Sequence, residues 1–146
     1  MKEIKGNLIT LANEGNFQII AHGCNCFNTF GSGIAKEIKE RLPEAYKVDH
    51  RTKKGDINKL GNMTKYSYDN FTILNCYTQY SYSNYEPQLD YEALTLCLRK
   101  INNTYKSMSI GLPLIGCGKA GGNWVVVLDI IEKELKDMDV TIVKIN

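Results

Sequence analysis

The chain has 146 residues, 43% of them hydrophobic and 23% charged, which suits one globular domain, residues 1–146, able to bury a real core. Its 18 Lys and Arg against 16 Asp and Glu leave a net charge of +2, which does not mark a nucleic-acid binder, and no apolar run approaches the ~20 residues a membrane span needs. Met1-Lys2-Glu3-Ile4-Lys5 has no apolar stretch of the kind a secretory signal carries. The five cysteines are odd in number, and Cys76, Cys97 and Cys117 lie in or beside apolar segments, so reduced thiols in a cytoplasmic protein are expected.

In chain order, Glu3-Ile4-Lys5 reads as a short strand, followed by a turn of helix over Leu8 to Ala12. Phe17 to Ala21 is an apolar run that predicts a buried strand. Ile34, Ile38 and Leu42 fall on one face of a helix, and Pro43 opens a second helix over Glu44 to Thr52. The basic run Lys47 to Lys54 reads as a solvated face, with His50 on the surface. Met63 to Ser67 and Phe71 to Thr78 read as strands about the turn Asp69-Asn70. Tyr80, Tyr82 and Tyr85 follow in a loop and could line a ligand's edge. Asp90 caps a helix from Tyr91 to Asn103, Ser109 to Leu114 is a buried strand, and the last helix starts at Gly122 or Asn123. Val140 to Ile145 is the final strand. Strands alternating with helices imply a mainly parallel sheet covered on both faces.

Two loops stand out. Ala21 to Ala35, with Gly31 and Gly33, joins a strand to a helix start, where free N–H groups favour an anion. His22 and Asn25 are expected at the strand's carboxyl end, where open α/β sheets bind ligands. The second loop, Gly116-Cys117-Gly118-Lys119-Ala120-Gly121-Gly122-Asn123, also runs from strand to helix, with four glycines in seven residues. It is neither a Walker loop nor the dinucleotide fingerprint. Two backbone cradles suit a ligand with a diphosphate between two sugars.

In these motifs the chain resembles a macro domain, in particular the branch of ADP-ribose-1″-phosphate phosphatases. His-x-Cys-Asn-Cys followed by Gly-x-Gly-Ile-Ala matches His22 to Ala35. Pro-x-Ile-Gly-x-Gly and a Trp-containing helix start match Pro113 to Trp124, and Lys-Gly-Asn-Leu matches Lys5 to Leu8. The resemblance implies a three-layer α/β/α fold with a mixed, mainly parallel sheet. It implies a monomer that binds ADP-ribose, ADP-ribose-1″-phosphate or an ADP-ribosylated macromolecule, with no cofactor and no resident metal. Asn7, beside Leu8, takes the place of an adenine-binding Asp. Asn25 faces the distal ribose. Gly31, Ser32, Gly33 and Ile34 hold the diphosphate and distal ribose from one side, and Gly116, Cys117, Gly118, Lys119, Ala120 and Gly121 from the other.

The candidate catalysts are His22, as general base toward a water, and position 123, where relatives often carry Asp and this chain has Asn. Asn123 cannot act as a base, yet caps a helix as well as Asp does. Gln79 occupies the place of a Lys used by related hydrolases and cannot form the covalent sugar adduct. Cys24-x-Cys26 lacks further metal-ligand partners. Cys117 lacks an Arg five residues on, as a cysteine phosphatase would need. Three functions remain: a phosphatase, an ADP-ribose binder without turnover, or a hydrolase of ADP-ribose esters.

Overall fold

The computed structural model describes residues 1–82 and 86–145. Tyr85, one of the three loop tyrosines, lies outside them. The elements run β1 (Lys2–Lys5), α1 (Leu8–Asn13), β2 (Ile19–Cys24), α2 (Gly33–Arg41), α3 (Pro43–His50), β3 (Met63–Ser67), β4 (Thr72–Tyr77), α4 (Tyr91–Thr104), β5 (Ser109–Leu112), α5 (Trp124–Glu134) and β6 (Asp139–Lys144), with a 3-10 turn at Ile57–Lys59. They form one six-stranded sheet in the order β1-β6-β5-β2-β4-β3. All neighbours are parallel except β3, which returns antiparallel beside β4 across a tight turn. The sheet is therefore mixed and mainly parallel, as expected.

Alternation along the central strands fills both faces of the sheet. On β2, Ile19 and Ala21 point to one core with Leu94, Leu98 and Ile101 of α4 and Val127 and Ile131 of α5. Ile20 and Cys24 point to the other, with Ile9 of α1, Ile38 of α2 and Ala45 of α3. Three layers result. Caps define the helix starts: Asn7, Asp90 and Asn123 accept from Thr10, Ala93 and Val125 N–H groups, while Pro43 opens α3.

The one displacement that matters is β2. The apolar run suggests residues 17–21, but pairing runs from Ile19 to Cys24, in register with Thr72 to Tyr77 of β4. Phe17 is still buried; it packs across Gly111 of β5, where an added Cβ would stand 2.6 Å from its ring. His22 consequently lies inside the strand and not at its end. Hydropathy missed this because His, Gly and Cys do not extend an apolar run, whereas a neighbouring strand pairs with any backbone.

Candidate ligand-binding cleft

Parallel β2 and β5 are adjacent, so the loops that leave their carboxyl ends emerge side by side at one edge of the sheet. The first loop, residues 25–32, is shaped by its own side chains. Asn25 Oδ1 accepts the Phe27 N–H at 2.8 Å, and Asn25 Nδ2 donates to Thr29 Oγ1 at 2.6 Å. Asn28 takes a left-handed φ of 59° and is clamped from below. Lys59 Nζ donates to Asn28 Oδ1 at 2.7 Å and to Thr52 Oγ1 at 2.9 Å, and Asn28 Nδ2 donates to the Thr52 carbonyl at 2.9 Å. Lys59 is only 9% exposed.

The first loop ends in α2 with an open N-terminus. Ser32 makes no side-chain cap bond. The N–H groups of Gly33, Ile34 and Ala35 have no protein acceptor among the described residues. Gly33 carries φ 59° with nothing within 4 Å of where a Cβ would stand. Glycine adopts this left-handed conformation without strain.

The second loop is its counterpart. Gly116 (φ 74°) presses on Leu89, where an added Cβ would come within 2.7 Å of the side chain, and Gly122 also abuts Leu89. The Gly122 N–H closes back on the Gly116 carbonyl at 2.8 Å, and the Ala120 carbonyl accepts from Gln88 and Leu89. With its backbone so held, the loop leaves the N–H groups of Gly118, Lys119 and Ala120 without acceptors among the described residues. Gly118 and Lys119 are exposed, Cys117 is half-buried, and the Ala120 side chain is in the core. Each loop thus carries a run of unengaged backbone donors, a feature suited to anionic oxygens.

The other sequence-nominated residues are placed as follows. Asn7 caps α1 and reaches α2: its Nδ2 donates to Glu37 Oε1 at 2.6 Å, and Arg41 Nη1 donates to its Oδ1 at 3.0 Å. Leu8 is a core side chain at 5% exposure. Asn123 caps α5, and its own N–H donates to Tyr91 Oη at 2.9 Å. Tyr80 and Tyr82 are exposed and meet Phe27 edge-on, at centroid distances of 5.0 and 5.9 Å. Gln79 Nε2 is held by the Ser81 carbonyl at 2.6 Å.

His22 has no exposed surface. Its Nε2 is 2.7 Å from Asn75 Oδ1, so that nitrogen carries the proton, and its ring meets Phe30 edge-on. Burial pulls its pKa down to about 4, against the smaller lift from Asn75. The ring is neutral, as a base requires, but it is walled off from the cleft.

Behind it runs a polar chain that sequence reading missed. Asn75 Nδ2 donates to Thr64 Oγ1 at 3.1 Å, Thr64 Oγ1 lies 3.1 Å from Tyr77 Oη, and Tyr77 Oη donates to Asp49 Oδ1 at 2.7 Å. Asp49 sits in the basic run yet is fully buried. The run is otherwise largely exposed, His50 included. A polar Asn inside the apolar strand Thr72–Tyr77 was the only available signal; nothing marked Lys59 or Asp49.

No cysteine is poised for attack. Burial pushes the thiols of Cys24, Cys26 and Cys117 up, and all five cysteines are free. Among the described residues no three His, Cys, Asp or Glu side chains gather as metal ligands. None of the helices described is long and apolar enough to cross a membrane.

Fold and loops together define an α/β protein with two glycine loops of unengaged backbone N–H groups at the carboxyl edge of a mainly parallel sheet. The chain belongs to the macro domain family, whose model matches residues 21–131. An uncharacterized 17.5 kDa protein from the tk-vs intergenic region of Enterobacteria phage T4 is 34% identical over 98% of this chain and 95% of its own length. An ADP-ribose 1″-phosphate phosphatase of Aspergillus oryzae is 42% identical over 50 residues, 34% of this chain and 23% of that protein. Among solved structures, Thermosipho africanus DarTG in complex with ADP-ribose superposes with a TM-score of 0.70 at 21% identity, over 88% of this chain and 38% of that one.

Proposed function

We propose that this protein binds ADP-ribose between its two glycine loops and removes phosphate from ADP-ribose-1″-phosphate. The observation that carries the reading is the pair of glycine loops leaving adjacent parallel strands, whose unengaged N–H groups at 33–35 and 118–120 suit a diphosphate. Membership of the macro domain family supports ADP-ribose as the ligand, and the local likeness to a named phosphatase supports the reaction. Asn7 stands at the adenine end and Asn25 at the distal ribose.

In the reaction a water oxygen bonds to phosphorus while the bond from phosphorus to the ribose oxygen breaks. The ribose oxygen leaves with a proton, and the loop N–H groups take up charge on the phosphate oxygens. His22 is a positioning residue in this reading. Its sealed ring fixes Asn75 and the strand beneath the first loop, and does not take the water's proton.

A second reading, an ADP-ribose binder without turnover, is favoured by Asn123, which is neutral and spends its side-chain oxygen on the helix cap. One experiment separates them. Calorimetry should show ADP-ribose binding well above AMP, and phosphate release from ADP-ribose-1″-phosphate should be measured for the parent and for Asn123→Asp. Equal affinities for ADP-ribose and AMP would remove the two-cradle argument. Binding without phosphate release, in the parent and the variant alike, would leave the binder.

A further inference from the structure

Two buried side-chain oxygens have no hydrogen-bond partner among the described residues: Asp49 Oδ2 and Thr78 Oγ1. A buried polar atom left without a partner is destabilising, so each calls for a reason. Asp49 has an ordinary one. Its partner Tyr77 lines an open pocket of about 230 Å³ together with Thr52, Lys59 and Thr64, which brings water close to the carboxylate.

Thr78 is different. It follows β4, is fully buried, and its backbone is spent on Cys24 O and Asp90 N. Its hydroxyl lies over Gly23 of β2, only 2.7 Å from where a Cβ would stand, so any other residue at 23 would evict it. Around that same point stand Ile115 Cγ1 at 3.6 Å and the Gly116 nitrogen at 3.9 Å. The Gly116 N–H has no acceptor among the described residues. An unpartnered hydroxyl and an unpartnered N–H therefore flank one small space, at the hinge where the second loop leaves the sheet.

We propose that Thr78 is a positioning residue for the second loop, its hydroxyl accepting the Gly116 N–H when a ligand draws that loop into place. The inference rests on the ADP-ribose reading above, and names what sets the second cradle. The ligand-free loop leaves both groups unsatisfied, and the ligand-bound loop satisfies both. That difference between the two states is what lets the contact favour the bound one.

The test uses Thr78→Val, which keeps shape and removes the hydroxyl, and Thr78→Ser, which keeps the hydroxyl. Thr78→Val should unfold at the same or a higher temperature, because an orphan is gone. Its affinity for ADP-ribose should fall roughly five- to tenfold, while Thr78→Ser stays within about twofold of the parent. Hydrogen exchange at the Gly116 amide should slow on saturation with ADP-ribose in the parent and in Thr78→Ser, but not in Thr78→Val. Parent-like affinity and parent-like Gly116 protection in folded Thr78→Val would overturn the role of Thr78. Failure of the parent to bind ADP-ribose would instead overturn the functional reading on which it rests.

Discussion

Lowering the pH from 7 to 5 should destabilise this protein through one residue, His22. In the folded chain its pKa is about 4; in the unfolded chain it returns to about 6.5. The unfolded state therefore binds the extra proton between those values, and stability is lost as pH falls through 6.5. At pH 5 protonation weights the unfolded chain roughly 30-fold over the folded one, which is about 2 kcal/mol of lost stability relative to pH 7. Asp49, raised by burial, works with the opposite sign, so it can only shrink the loss. Glu37 is lowered mainly by its bond from Asn7 and Glu134 by its bond from Arg99. Both lose their contribution only below the usual carboxylate range. Urea unfolding at pH 7, 6 and 5 measures the slope, and the ring resonances of the two histidines, assigned with a His22→Gln variant, give the titration directly. Stability that stays flat from pH 7 to 5, or a His22 ring titrating near 6.5, would refute the sealed-ring account. The same result would restore His22 as a candidate base in the cleft.

Two further outcomes follow from the cleft. Gly33→Val should abolish ADP-ribose binding in calorimetry, because a β-branched residue is strained at φ 59° and pushes the first N–H groups of α2 out of line; the fold, followed by circular dichroism, should survive, since nothing lies within 4 Å of the new Cβ. Phosphate release should be unchanged by EDTA, because no three metal-ligating side chains gather among the described residues; activity lost on chelation and restored by one equivalent of a divalent ion would disprove it.

Much of this protein is legible in its sequence because the signals are local. Helix α4 follows from Asp90 as a cap and Leu94, Leu98 and Ile101 on one face. The hairpin of β3 and β4 follows from two strand-like runs about Asp69-Asn70, and both cradles follow from glycines at strand-to-helix junctions. Backbone conformation and periodicity are properties of neighbouring residues, so a sequence carries them openly.

Tertiary structure decided what those residues can do. Pairing with β4 carried β2 past its apolar run and drew His22 from the strand's end into the core, where burial sets its proton affinity. Lys59, from the loop that follows the basic run, and Asp49, from within the run that reads as solvated, turned inward to clamp the first loop and to end the chain of hydrogen bonds from His22. Thr78 lays its hydroxyl over residue 23, far off in sequence, in space that any side chain there would fill. Desolvation and hydrogen-bond partnership depend on what folding brings alongside from distant segments, and no window of sequence contains that.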